Sequence, residues 1–365
     1  MKIGIYSLPF HSIYGGILQS YALETILKQM GHETYVFNQS WLDHIGKKDK
    51  LKRVMFKVYN LFASEKRFAD RDALNLSISE LKRFWSTHIT NLVNFNDYCE
   101  IKEYNLDAIV VGSDQIWRKG YCKDTREYFL GFTNGWCIKR IAYAASFGVS
   151  EWQFDKAETK DLIQLISQFN AVSVRESDGV CLCKKYLNVN SELVLDPTFL
   201  LKKGNYICLR NRVNKPEGKR LVSFMLHPSK EKKKMVCYVS NILDARVVDI
   251  DIPMKEKGNS YVTPYSSIET WLTEFMDADY VITDSFHGMA FSINFNIPFV
   301  TLGNIQGGQA RFTSLLKLFD LEKRMTTSEE MIISLLKEQM DWTTVNQKLD
   351  NLRSRSMAFL KSVLQ

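Results

Sequence analysis

The sequence has no run of about 18 apolar residues, so it contains no helix long and apolar enough to cross a membrane. It has no short-period repeat and no low-complexity tract, which argues against solenoids and extended linkers. The cysteines, at positions 99, 122, 137, 181, 183, 208 and 237, are odd in number and irregular in spacing. Cys181-Leu182-Cys183 alone is not a zinc pattern. Free thiols point to a reducing compartment. The opening Met1–Ser7 is too short an apolar run for a signal-peptide core and soon reaches Pro9 and His11, so a cytoplasmic location is expected. RNA-binding and zinc-finger motifs are missing, and a formal charge of +7 is diffuse, so nucleic acid is not an expected partner. That charge suits an anionic substrate or an anionic membrane surface. Gly15-Gly16 is followed by no P-loop lysine, which excludes a Walker motif.

What is present is an ordinary globular composition, 45% hydrophobic and 24% charged, over 365 residues. That length exceeds what one core usually serves, so two domains are expected. Lys2–Ser7 reads as a strand, Ile17–Met30 as a helix ended by Gly31, and Glu33–Asn38 as a second strand. This β-α-β unit seeds a parallel sheet. Further apolar runs at Asp107–Val111, Arg140–Phe147, Asn170–Val174 and Glu192–Leu195 each end in a polar turn. That repetition predicts a doubly wound sheet with a crevice on one side. After a charged stretch from Lys202 to Lys219 the pattern restarts, with strands at Arg220–Leu226, Arg246–Ile250, Tyr280–Thr283 and Phe299–Leu302. The expected division is a first Rossmann-like domain over 1–203, with a helical insertion over about 45–95, and a second over 204–340. A helix over 341–365 is expected to pack back on the first domain.

Within the insertion, Leu51, Val54, Met55, Val58, Leu61 and Phe62 recur at helical spacing. Lys47, Lys48, Lys50, Lys52, Arg53 and Lys57 crowd the start and the opposite side. Two readings stand for 47–62: peripheral contact with an anionic membrane, or a core-facing helix with a solvated charged face.

The most informative stretch is Thr283-Asp284-Ser285-Phe286-His287-Gly288, between two apolar runs. It reads as a turn at the carboxyl end of a strand, where ligands bind in open α/β sheets. His287 brings a proton carrier there, and Gly288 room for a close approach. The competing reading is a capped turn, with Ser285 as N-cap and His287 an ordinary first-turn residue.

Six landmarks occur in one order: Tyr14-Gly15-Gly16-Ile17-Leu18-Gln19-Ser20-Tyr21-Ala22-Leu23, Val111-Gly112-Ser113-Asp114-Gln115-Ile116-Trp117, Ala142-Tyr143-Ala144-Ala145-Ser146-Phe147-Gly148, Ser173-Val174-Arg175-Glu176, Val194-Leu195-Asp196-Pro197-Thr198, and Thr283 to Gly288. Together they resemble the polysaccharide pyruvyl transferase family. The resemblance implies two Rossmann-like domains facing a cleft, as in GT-B glycosyltransferases. It implies transfer of pyruvate from phosphoenolpyruvate to a saccharide as a cyclic ketal, with no metal or organic cofactor. Members decorate surface and cell-wall glycans, so a lipid-linked acceptor is one of the partners it allows.

That chemistry needs fixed positive charge for a carboxylate and a phosphate. Arg175, at a strand end, and Arg311, opening a helix after Gly307-Gly308, are the candidates. Each has a structural alternative; for Arg175 it is an ion pair with Glu176 or another acid. His287 is the expected acid/base group in an exposed crevice position. Some members carry Arg where this chain has Ser285, so one donor-anion contact is missing or supplied elsewhere. Asp114 is expected to accept a sugar hydroxyl proton, or else to cap a following helix. Ser113 and Gln115 flank it as substrate contacts, and Trp117 either stacks on a sugar or fills the core. Gly15 and Gly16 are assigned to a tight β-α turn that lets a ligand approach the backbone or simply lets the chain turn, and Gln19 is expected to contact substrate. Other readings remain: a GT-B glycosyltransferase using a nucleotide sugar, although no acidic ribose clamp is visible, and a noncatalytic saccharide-binding or assembly protein.

Overall fold

A computed structural model of the chain describes residues 1–10, 14–39, 55–56, 70–212, 214–250, 264–303 and 308–365. The β-α-β opening forms as its pattern requires. Strand β1 (Lys2–Tyr6) leads into the helix Tyr14–Gln29, which returns the chain to β2 (Glu33–Gln39). Gly31 takes a φ of 88°, the left-handed conformation that ends a helix without a Cβ penalty. Strands β3 (Leu92–Phe95), β4 (Ala108–Val111), β5 (Lys139–Ala145), β6 (Ala171–Val174) and β7 (Glu192–Leu193) complete the first sheet. All its pairings are parallel, in the order β3-β2-β1-β4-β5-β6-β7. Strand β4 is buried at every position, as expected of a parallel strand covered on both faces.

A second parallel sheet holds β8 (Lys219–Phe224), β9 (Ala245–Asp249), β10 (Tyr280–Thr283) and β11 (Phe299–Thr301), in the order β11-β10-β8-β9. Strand order reverses at β1/β4 in one sheet and at β8/β10 in the other. Those are the switch points beside which open α/β sheets bind ligands.

One apolar cluster runs through both halves, from Ile3 and Leu23 to Trp271, Phe291 and Leu316. The helix Trp342–Val363 joins it through Leu349, Phe359 and Leu360 and packs on the first half. There Ser356 Oγ accepts from the Leu195 N–H at 2.9 Å, and Arg353 Nε donates to the Phe199 carbonyl at 2.7 Å.

Three local expectations change. The stretch 45–95 is not all helical: after the helices Asp70–Ser77 and Ser79–His88, residues Leu92–Phe95 pair with β2 as the sheet edge. The run is short and its neighbouring turn polar, so periodicity alone could not separate it from the helices. Gly15 and Gly16 are not a turn but lie in the first turn of the helix Tyr14–Gln29. No helix follows Asp114 directly, so that residue caps none. The amphipathic stretch 47–62 lies, apart from residues 55–56, outside the described residues. No described helix is long and apolar enough to cross a membrane.

Candidate active site

The carboxyl ends of β4, β5, β6 and β7 converge on one buried polar cluster. Arg175, just after β6, is its centre. Its Nη2 donates to Asp114 Oδ1 at 2.9 Å and its Nη1 to Asp196 Oδ2 at 2.7 Å. Ser113 Oγ stands 3.2 Å from Asp196 Oδ2 and 2.9 Å from the Ala144 carbonyl oxygen. Gln19 Nε2 donates to Ser113 Oγ at 3.2 Å and to Asp196 Oδ2. Asp114 adopts a φ of 78°, a left-handed backbone rare outside glycine. Its peptide is held there by the Ser146 N–H, which donates to the Asp114 carbonyl at 3.0 Å.

The second half closes over this cluster from β10. Ser285 is the N-cap of the helix Phe286–Phe295 and accepts from the Gly288 N–H at 3.4 Å. His287 is therefore in the first turn, only 7% exposed. The expectation of a crevice-exposed imidazole does not hold, because the first half lies against it. A Cβ built at Gly15 would fall 1.9 Å from His287 Nδ1. Glycine at 15 thus leaves the imidazole its place, and a Cβ at Gly16 would stand 4.0 Å from Asp114 Oδ2. Gly288 makes room for protein rather than ligand, since a Cβ there would meet Thr283 Oγ1 at 2.3 Å.

Arg311, in the helix Ala310–Leu318, is buried with Nη1 at 3.9 Å from Asp114 Oδ1. Both arginines also contact the Phe286 ring, whose centre is 4.6 Å from Arg175 Cζ and 5.3 Å from Arg311 Cζ. The ring face offers each cation a quadrupole contact.

Burial pushes the His287 imidazole down to about 4; the Asp196 and Asp114 carboxylates oppose that shift, and the two arginines reinforce it. The ring is thus neutral at pH 7 and starts as a proton acceptor. Burial raises the Asp114 carboxyl, but the surrounding groups, Arg175 foremost, outweigh it and leave the group below its ordinary range. The same balance, with burial opposed by Arg175, lowers Asp196. Burial also lowers Arg311, to about 10, with Arg175 adding repulsion. Glu176 is fully buried and raised by burial, its Oε1 accepting the Phe147 and Gly148 N–H groups at 2.7 and 3.2 Å.

The two buried carboxylates differ. Asp196 is saturated, with Oδ1 taking the Thr198 N–H at 3.1 Å and hydroxyl at 2.8 Å besides the donors on Oδ2. Asp114 Oδ1 takes Arg175 and the Gln115 N–H at 2.8 Å, whereas no donor among the described residues reaches its Oδ2. His287 Nε2 is buried and has no hydrogen-bond partner among the described residues. A carboxylate with an oxygen free of donors among the described residues, a neutral imidazole and two guanidiniums therefore lie together.

Of the residues expected from sequence, His287, Asp114, Arg175, Arg311, Ser113, Gln19, Gly15 and Gly16 come together. Gln115 points its Oε1 to Arg118 Nη1 at 2.8 Å instead. Trp117 is fully buried, stacked on Phe129 at 4.8 Å, with its indole N–H on the Tyr128 carbonyl at 3.0 Å. It is a core aromatic with no face for a sugar. Arg175 has the acidic partners of its structural alternative, but they are Asp114 and Asp196 rather than Glu176. Sequence reasoning passed over Asp196, Phe286 and Glu176. Asp196 ends an apolar run as Asp114 does, which was the available signal. Among the described residues no group of three His, Cys, Asp or Glu side chains could hold a metal ion.

A family model described as polysaccharide pyruvyl transferase matches residues 14–306. The chain belongs to that family. Its architecture is similar to UDP-GlcNAc 2-epimerase from Neisseria meningitidis bound to UDP-GlcNAc (TM-score 0.53, 8% identity, covering 100% of this chain and 99% of that one). It is also similar to the spinosyn rhamnosyltransferase SpnG complexed with spinosyn aglycone (TM-score 0.52, 10% identity, 100% of both chains). A third likeness is to Arabidopsis thaliana UGT89C1 complexed with UDP (TM-score 0.52, 10% identity, 98% and 95%). At such identities these likenesses show the fold alone, which is GT-B. No functionally curated protein matches the chain in sequence.

Proposed function

We propose that this member of the polysaccharide pyruvyl transferase family moves pyruvate from phosphoenolpyruvate to two hydroxyls of a saccharide, forming a cyclic ketal. The observation that carries the reading is the meeting of Arg175 and Arg311 with neutral His287 and the open Asp114 Oδ2 at the junction of the halves. Phosphoenolpyruvate presents a carboxylate and a phosphate, and two guanidiniums answer that charge. In this reading the donor lies on the second half through Arg311, facing Arg175 of the first, and the first half takes the acceptor.

The proton count is definite. Two acceptor hydroxyls lose a proton each, and both oxygens bond to the former enol carbon. One proton ends on the methylene carbon, which becomes a methyl, and the other leaves with phosphate. Asp114 Oδ2 serves as base toward a hydroxyl. Asp114 passes that proton to the departing phosphate, while His287 starts neutral, takes the proton of the other hydroxyl and returns it to the methylene carbon. A bound polyanion raises the imidazole's proton affinity, which reverses the effect of burial when a donor is present.

No cofactor enters this scheme. The location proposed is cytoplasmic. A lipid-linked acceptor would place the enzyme at the inner face of a membrane, a role suited to 47–62. Binding of anionic liposomes that falls as salt rises tests that contact; equal binding to neutral liposomes ends it. The donor is tested by thermal-shift titration with phosphoenolpyruvate beside UDP- and GDP-sugars, followed by phosphate release with a saccharide acceptor. Concentration-dependent stabilisation by phosphoenolpyruvate is expected. Stabilisation by a nucleotide sugar alone would replace this reading with glycosyl transfer.

A further inference from the structure

Asp196 stands where the cluster meets the joint between the halves. It precedes the one-turn helix Pro197–Phe199, and its side chain accepts the Thr198 N–H and hydroxyl. The other oxygen takes Arg175, Ser113 and Gln19. With both oxygens engaged and the residue 2% exposed, the carboxylate has nothing left for a substrate.

The same turn is gripped from the second half. Asn294 Nδ2 donates to the Thr198 carbonyl at 3.0 Å and to the Leu201 carbonyl at 3.1 Å. Asn294 belongs to the helix Phe286–Phe295 that carries His287 in its first turn. From the last helix, Arg353 donates to the Phe199 carbonyl at 2.7 Å and stands 3.4 Å from Asn294 Oδ1. One short segment thus fixes Arg175 on one side and docks the His287 helix on the other.

We propose that Asp196 is a positioning residue that holds Arg175, and through it Asp114, in register with His287. The role rests on the reading of His287 and Asp114 as the proton-handling pair. Asp196 acts without touching substrate: it orients the guanidinium whose second nitrogen orients the Asp114 base. It also sets the field at the imidazole. The charged groups facing His287 are Asp196 and Asp114, which favour its protonation, and Arg175 and Arg311, which oppose it.

The test is Asp196→Asn, which keeps the shape and removes the charge. kcat is expected to fall about 10- to 100-fold with donor KM within about threefold, as for removal of an orienting partner. Loss of the carboxylate leaves the arginines less opposed, so the His287 imidazole titrates at lower pH than in the parent. NMR of the imidazole, assigned with His287→Gln, reads that shift without any substrate. A shift without turnover of phosphoenolpyruvate would keep the positioning role and end the donor reading. An unmoved imidazole, or a rise in KM at constant kcat, overturns the positioning role. Should Asp196→Asn fail to fold, Thr198→Val removes one hydroxyl donor from the same carboxylate. It is expected to lower kcat about 3- to 10-fold at constant KM; unchanged kcat would overturn the proposal.

Discussion

The two halves bring different kinds of order to their shared site. In the first half, Gln19, Ser113, Asp114, Arg175 and Asp196 are linked by hydrogen bonds and ion pairs, almost all to one another. In the second half, His287 has a buried nitrogen with no hydrogen-bond partner among the described residues, and Phe286 reaches across to Arg175 through a ring-to-cation contact. The first half is a template set by polar chemistry. The second is docked by Asn294 on the Thr198 and Leu201 carbonyls and fitted at the site by shape, with Gly15 vacating the space of an imidazole and Gly308 that of the Gly148 carbonyl, 2.2 Å from its would-be Cβ. A charge change should therefore damage the first half most, and a volume change the second.

The largest effect expected is at His287. His287→Gln should cut turnover by roughly 10²–10⁴-fold, the contribution of a positioned acid or base. Glutamine fills much of the same space, so melting temperature should change little. His287→Ala, which opens a void against Gly15, should lose stability as well. Parent-like turnover in a folded His287→Gln would remove the catalytic assignment. Gly15→Ala comes next and breaks the comparison by volume alone. One methyl group against the imidazole should lower kcat by about 10²-fold, the scale of a 1 Å misplacement. Turnover above a tenth of the parent's would mean that the halves adjust freely.

Arg311→Lys keeps the charge but loses the planar fork, and donor KM should rise about tenfold with kcat less affected. A fall in kcat at constant KM would instead put Arg311 in the transition state. A stability profile against pH sharpens the view of the second half. His287 is lowered to about 4 when folded, against 6.5 for the ordinary side chain, so between those values the unfolded chain binds the extra proton. Stability should fall through this imidazole as pH drops from about 6.5 to about 4, and the loss should be absent in His287→Gln. Parallel curves for parent and mutant would contradict the burial argument. Smallest of all, Trp117→Phe should leave turnover within about twofold and cost about 1 kcal/mol through the lost indole hydrogen bond. A large rise in acceptor KM would return Trp117 to the sugar site.

Much of the fold was legible because its signals are local. Apolar runs ending in polar turns marked four strand ends of the first sheet, and Arg175 and Asp114 stood in those turns. His287 was legible from its motif, yet its burial was not, because that depends on a glycine some 270 residues away in the chain. Asp196 and Phe286 escaped for a related reason. Their roles arise from neighbours on other strands, and the residue types alone read as a capping acid and a core aromatic. Gly288 misled in the opposite direction, and Trp117 took the core reading of its two, since a glycine beside a motif and a tryptophan after one serve packing as readily as binding.

The tie between the last helix and the first sheet also has a consequence in time. Lys139 Nζ donates to the Val363 and Gln365 carbonyls at 3.1 and 2.7 Å, and Leu349, Phe359 and Leu360 cover part of the core that Ile3 and Leu23 begin. On the ribosome, Ile3 and Leu23 must wait for residues made more than three hundred positions later before their apolar face is sealed. The nascent first half therefore stays open to chaperones and proteases for most of its synthesis, and premature termination before Trp342 would expose the half that was already built.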